Sequence, residues 1–118
     1  MPNYVPLSAQ EFEELHRLLS AVLSTRNVPV VIPGEAILGI EAIAAGIAAP
    51  GRKILNIVTG PYGTIFGNWL ARGGAEVVNV QSSFDDVASV EAVAEAIENH
   101  LPSALSFVQA EAATGGSN

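Results

Sequence analysis

The stretch VPVVIPGEAILGIEAIAAGIAAPGRKILNIVTGPYGTIFGNWLARGGAEVVNV, residues 28–80, decides the fold. Its head, Val28-Pro29-Val30-Val31-Ile32, is a β-branched run that reads as a strand buried on both faces, with Pro29 tolerated at its start. Residues 36–49, AILGIEAIAAGIAA, are apolar nearly all round, which marks a helix sunk between other elements; Pro50-Gly51 stops it. KILNIV at 53–58 is a second strand. Thr59-Gly60-Pro61-Tyr62-Gly63 is a glycine-rich turn, residues 65–72 a short helix closed by Gly73-Gly74, and residues 76–80 a third strand.

Upstream, residues 8–23 (SAQEFEELHRLLSAVL) open with a capping-box signature: Ser8 can accept from the amide three residues on while Glu11 reaches back. Phe12, Leu15, Leu18, Leu19, Val22 and Leu23 recur at helical spacing, and Glu11, Glu13 and Glu14 occupy the first turn, where the dipole favours acids. Downstream, Ser89 caps a helix carrying Val90, Val93, Ala94 and Ile97, and residues 104–108 form a fourth strand. After the leading helix the order is βαβαβαβ. That alternation predicts an α/β domain spanning residues 1–118, a mostly parallel sheet of about four strands with helices on both faces.

A chain of 118 residues with no cysteine has room for one domain and none for disulfides, thiolate metal sites or thiol catalysis. Five basic residues against twelve acidic ones, a net charge of -7, argue against a surface that follows nucleic-acid phosphates. The first residues lack the basic and apolar parts of a signal peptide, and no apolar run approaches the ~20 residues a membrane span needs, so a cytoplasmic address is expected. At 49% hydrophobic and 14% charged, against about 25% charged for a typical domain, the chain carries more apolar surface than its size hides. Either small alanines inflate the count or a partner covers the excess. Glu41, a charge within an apolar helix, needs a partner and points the same way.

In open parallel sheets, ligands bind beyond the carboxyl ends of the strands. The loops around Pro33-Gly34-Glu35-Ala36, Thr59–Gly63 and residues 109–115 should therefore share one rim. Glu35 stands at a helix start, where it either charges the helix N-terminus or faces a ligand. Tyr62, between Gly60 and Gly63, either stacks on a flat heterocycle or plugs the sheet end. The G-P-Y-G turn lacks dinucleotide-binding spacing and Pro33-Gly34-Glu35 is no Walker loop. His16 and His100 read as solvated histidines, and no metal set is evident.

Gly34-Glu35-Ala36-Ile37-Leu38-Gly39-Ile40-Glu41-Ala42 and Thr59-Gly60-Pro61-Tyr62-Gly63-Thr64-Ile65-Phe66-Gly67-Asn68-Trp69 resemble G-E-x-V-L-G-L-E-A and S-G-x-Y-G-x-x-F-G-x-W of the class V, fold type I pyridoxal-phosphate aminotransferases. The likeness is to the alanine-glyoxylate and pyridoxamine-pyruvate group and covers residues 8–118, as half of the large domain. The resemblance implies that Tyr62 stacks on the pyridine ring and that Gly34, Glu35 and Ala36 face the end of the cofactor where phosphate sits. Phosphate-binding relatives carry a Ser/Thr-Gly turn there. Glu35 would repel a phosphate dianion, so an unphosphorylated pyridoxal or pyridoxamine becomes an expected ligand beside pyridoxal 5'-phosphate.

Residues 109–115 resemble the family's H-x-[DE]-[ST]-x-[ST]-G. Gln109 and Ala112 depart from it, while Glu111 keeps the acid and Thr114 the second hydroxyl, so both join the implied cofactor contacts. Family members also need a Schiff-base lysine and an acid on the pyridinium nitrogen. The sole lysine, Lys53, enters a strand at the opposite rim. Three readings follow. The favoured one is the small subunit of a split, heteromeric aminotransferase whose partner chain brings the lysine, acting on a small amino compound. A non-catalytic subunit that stabilises an aminotransferase-like partner is the second. The third is a stand-alone small-ligand-binding domain. Fold kinship leaves open whether the chemistry is transamination, elimination, racemisation or C–S cleavage.

Overall fold

The computed structural model describes residues 6–83, 86–113, 115 and 117. It forms two compact units, residues 1–33 and 34–118. The first holds helix α1, Ala9–Val22. Ser8 caps it as the sequence predicts: its Oγ accepts from the Glu11 amide at 3.3 Å, and the Glu11 carboxylate accepts from the Ser8 amide at 2.8 Å. Glu14 and Arg17 pair at 2.7 Å one turn on, and the rings of Phe12 and His16 lie 4.3 Å apart. No residue of α1 is buried, so its apolar face is left open.

Residues 28–32 are a departure from expectation, because they form no strand. Val28 and Val30 are 72% and 84% exposed. A β-branched run becomes a strand only by hydrogen bonding to a neighbour, and Pro29 withdraws one of the few donors this run has. Among the described residues no neighbouring strand pairs with it.

In the second unit, α2 (Ala36–Ile47), β1 (Lys53–Val58), α3 (Pro61–Arg72), β2 (Glu76–Gln81), α4 (Val90–His100) and β3 (Ala104–Ser106) follow in turn. The sheet is entirely parallel, in the order β2-β1-β3. It therefore has three strands, one fewer than expected, because the run at 28–32 stays unpaired. The chain steps from β1 outward to β2, then back across β1 to β3. Right-handed crossovers place α3 and α4 on opposite faces when the step reverses. The helix that was read to begin at Ile65 begins instead at Pro61, whose missing N–H costs nothing at the first helical position.

The core lies where α2 and α3 meet the sheet. Ile54, in register with Val77 and Ala104, packs with Ala44, Phe66 and Leu70. Every residue of β1 after Lys53 is buried, as a central parallel strand requires. The expectation that α2 is sunk between other elements fails: only Ala44 is buried, and Ile43 is 58% exposed. Its composition fits a site covered on two sides, and here one side is bare. Glu41 lies exposed in a groove beside Trp69 and Arg72, so within this chain its charge is solvated. No helix among the described residues is long and apolar enough to cross a membrane.

Candidate functional site

Three segments converge at the carboxyl end of the sheet. The start of α2 brings Glu35, Ala36 and Ile37, the first turn of α3 brings Tyr62, and the chain leaving β3 brings Val108, Ala110 and Ala112. They enclose a cavity of about 440 Å³ whose floor is Ile40 and Phe66. The predicted shared rim is thus present, although the first of its three loops follows an extended segment instead of a strand.

Tyr62 reaches this position because α3 is pressed onto the sheet. Glycine at 63 puts the helix backbone against β1; a Cβ there would stand 3.1 Å from Val58 Cα. At Gly67 a Cβ would stand 2.7 Å from Asn56 Nδ2. Asn56, 1% exposed in the middle of β1, donates to the Gly63 carbonyl at 3.0 Å and to Asn79 Oδ1 at 2.9 Å, and its own Oδ1 accepts from the Ser106 hydroxyl at 2.9 Å. Asn79, Asn56 and Ser106 are partners in register across all three strands. One buried amide thereby ties the sheet together and holds the turn that carries Tyr62. Sequence reading passed over it; the signal was a lone Asn at an alternate position of KILNIV, matched by another in EVVNV.

Glu35 is the N-cap residue of α2, with extended backbone, but its side chain makes no capping bond. It lines the cavity instead, at the positive end of the helix. Gly34 precedes it outside the lining; its Cα faces Leu38, so glycine serves the turn. Ala36 lines the cavity.

Glu111 takes a different place from the one implied. It turns away from the cavity, 1% exposed, against Gly60, where any Cβ would meet its side chain. One carboxylate oxygen accepts from the Ala113 amide at 3.5 Å; the other, Oε2, is buried without a hydrogen-bond partner. Gly60 is the N-cap of α3 and offers no side chain, and the Glu111 side chain packs against it. Thr114 lies outside the described residues. Lys53 sits at the amino end of β1, its Nζ 3.1 Å from Glu76 Oε1. A six-residue strand at ~3.3 Å per residue puts it about 17 Å from the rim.

An aromatic face 37% exposed, an apolar floor and a carboxylate at one end suit a flat heterocycle with a polar substituent. Among the described residues, no cationic side chain lines the cavity.

No family model matches the chain. It is 29% identical over 98 residues to pyridoxamine-pyruvate transaminase of Mesorhizobium japonicum, across 83% of this chain and 25% of that protein. It is 30% identical over 111 residues to alanine-glyoxylate aminotransferase of Drosophila melanogaster, across 93% of this chain and 28% of that one. The crystal structure of alanine-glyoxylate aminotransferase from Nostoc sp. superposes with a TM-score of 0.86 at 29% identity, covering 98% of this chain and 32% of the other. The chain thus spans about a quarter of the curated relatives it matches. In sequence and in fold it is a homologue of the alanine-glyoxylate and pyridoxamine-pyruvate aminotransferases of class V, corresponding to part of their large domain.

Proposed function

We propose that this chain forms one wall of a pyridoxal-type cofactor site in an aminotransferase-like enzyme, and that a second polypeptide supplies the lysine and the opposite wall. The observation that carries this is the split between rim and lysine. Glu35, Tyr62, Val108, Ala110 and Ala112 line one cavity, whereas the sole lysine is ion-paired at the other end of β1. The exposed apolar faces of α2 and β3 supply surface for such a partner.

When bound, the cofactor's ring supplies an electron sink for moving an amino group between small carbon skeletons. Tyr62 would hold the plane of that ring, with Phe66, Ile37 and Val108 keeping water from its edge. Glu35 would accept a hydrogen bond from a hydroxymethyl group and repel a phosphate dianion, which favours the unphosphorylated vitamin as ligand.

The test is a titration of the full chain with pyridoxal and with pyridoxal 5'-phosphate, read by quenching of intrinsic fluorescence. Pyridoxal should bind more tightly than its phosphate, Glu35→Gln should narrow or reverse that order, and neither ligand should produce the yellow band of a lysine imine. Phosphate preference in the unaltered chain would overturn the assignment of Glu35. Equal binding of both ligands by Tyr62→Ala and the unaltered chain would overturn the site itself.

A further inference from the structure

Among the described residues Glu111 is the only buried acid, and the cavity chemistry set out above makes no use of it. Its burial is poorly compensated. Oε1 accepts from the Ala113 amide at 3.5 Å, the outer limit of a hydrogen bond, and Oε2 has no partner. A carboxylate oxygen taken out of water without a donor loses its hydration and gains nothing in return, so hydrogen bonding does not account for an acid at this position. Its shape and its place do.

Glu111 bridges two of the segments that form the cavity. On its own segment it stands between Ala110 and Ala112, both of which line the cavity. That segment is folded back on itself: the Glu111 carbonyl accepts from the Gly115 amide at 2.8 Å, and Ala110 forms an antiparallel bridge with Ser117. On the other segment, the turn from β1 into α3, its side chain fills the space that a Cβ on Gly60 would take, with Cγ, Cδ and Oε2 the nearest atoms to that point. Tyr62 stands two residues further on. The turn has few other holds, since Gly60 brings no side-chain cap, Pro61 brings no N–H, and the Thr64 amide and hydroxyl both donate to the Gly60 carbonyl, at 3.3 and 3.4 Å. Asn56 fixes the carbonyl of Gly63, after Tyr62; Glu111 packs on Gly60, before it.

Resting on the reading of this cavity as a pyridoxal site, we propose that Glu111 is a positioning residue for Tyr62, joining the segment after β3 to the turn before α3 by its length and shape. It acts on the ring that stacks and not on the ligand. Because the contact with Gly60 is steric, the length of the side chain matters and its charge does not. Glutamine is as long and preserves the contact; aspartate, one methylene shorter, withdraws from Gly60, and alanine leaves the turn unsupported. An aromatic whose supporting residues are loosened is displaced from the geometry that binds.

The experiment measures pyridoxal affinity, by quenching of intrinsic fluorescence, for the full chain carrying Glu111→Gln, Glu111→Asp or Glu111→Ala, each with Tyr62 intact and with Tyr62→Ala. With Tyr62 intact, Glu111→Gln should stay within about twofold of the unaltered chain, whereas Glu111→Asp and Glu111→Ala should bind about threefold or more weakly. In the Tyr62→Ala background all three should bind alike, because the effect passes through the missing ring. A role in stability alone would lower the urea midpoint without that dependence on Tyr62. The proposal is overturned if Glu111→Gln weakens binding as much as Glu111→Ala, if Glu111→Asp and Glu111→Ala bind like the unaltered chain, or if their loss is the same with and without Tyr62. Nuclear magnetic resonance of ring-labelled tyrosine, assigned with Tyr62→Phe, gives a reading that needs no ligand: the Tyr62 signals should move in Glu111→Asp and stay in place in Glu111→Gln. Unmoved signals in Glu111→Asp overturn the proposal. Failure of the unaltered chain to bind pyridoxal counts against the cofactor reading, and the ring signals then decide the role of Glu111 separately.

Discussion

At the scale of single residues, Tyr62 and Glu35 are the side chains that give the cavity its chemistry, and each makes a distinct prediction. Stacking of an aromatic on a flat ring contributes about 1 kcal/mol beyond area burial, so Tyr62→Ala should weaken pyridoxal binding by about fivefold or more, whereas Tyr62→Phe, which keeps the face, should stay within about twofold. Isothermal titration of the full chain checks both. Gly60 and Glu111 form a second testable pair. A Cβ at position 60 would stand 2.7 Å from Glu111 Oε2 and closer still to its Cγ, so Gly60→Ala should destabilise the fold by about 1–3 kcal/mol, the usual cost of overpacking. Glu111→Ala empties that space. In the double variant the cost of the added methyl should vanish, and urea denaturation of the four proteins reads the coupling directly. Glu111 had been assigned to the cofactor by its place in a family-like motif. In the structure its side chain is buried against Gly60, in the turn before Tyr62.

At the scale of elements, α3 and α1 repay attention for opposite reasons. α3 stays on the sheet through Asn56, so Asn56→Leu should strand the Gly63 carbonyl and the Asn79 and Ser106 side chains at a cost of about 2–4 kcal/mol, and should loosen pyridoxal binding as well. α1 is held by its cap, and there the carboxylates are legible in pH. The Ser8 hydroxyl and amide hold Glu11 below the usual carboxylate value, and Arg17 does the same for Glu14. Groups depressed in the folded state contribute above their unfolded value and lose that contribution as pH falls through the folded one. Helical circular dichroism should therefore decline as pH drops below the ordinary glutamate range near 4.5, and Ser8→Ala should lessen that dependence by releasing Glu11. The capping box was readable because it is local: four residues contain both partners. KILNIV and EVVNV were readable for the same reason, each carrying its apolar run between turn residues. The run at 28–32 misled because its strand character depends on a neighbour that these residues do not contain. The start of α3 was placed four residues late because Gly60-Pro61 reads as a turn, although proline is at home in a first helical turn. Asn56 was missed since its partners, Asn79 and Ser106, lie 23 and 50 residues away.

At the scale of the whole molecule, the apolar excess seen in the composition has a location. Exposed large apolar side chains include Phe12, Leu18 and Val22 of α1, Leu38 and Ile43 of α2, and Leu105 and Phe107 at β3. Such surfaces should make the purified chain bind a hydrophobic dye in its folded state. The cavity is likewise one-sided, with an aromatic and a carboxylate on one wall and the only lysine about 17 Å distant along β1. On the proposed function, Tyr62 and Glu35 hold a pyridoxal ring without the amine that would bond to it. Absorbance during pyridoxal titration of the unaltered chain, followed by borohydride reduction and peptide mass mapping, tests this most directly. The account predicts saturable, Tyr62-dependent binding with no imine band and no pyridoxyl group on Lys53 above the level found on Lys53 in the Tyr62→Ala variant. A Tyr62-dependent imine that reduces onto Lys53 would contradict it.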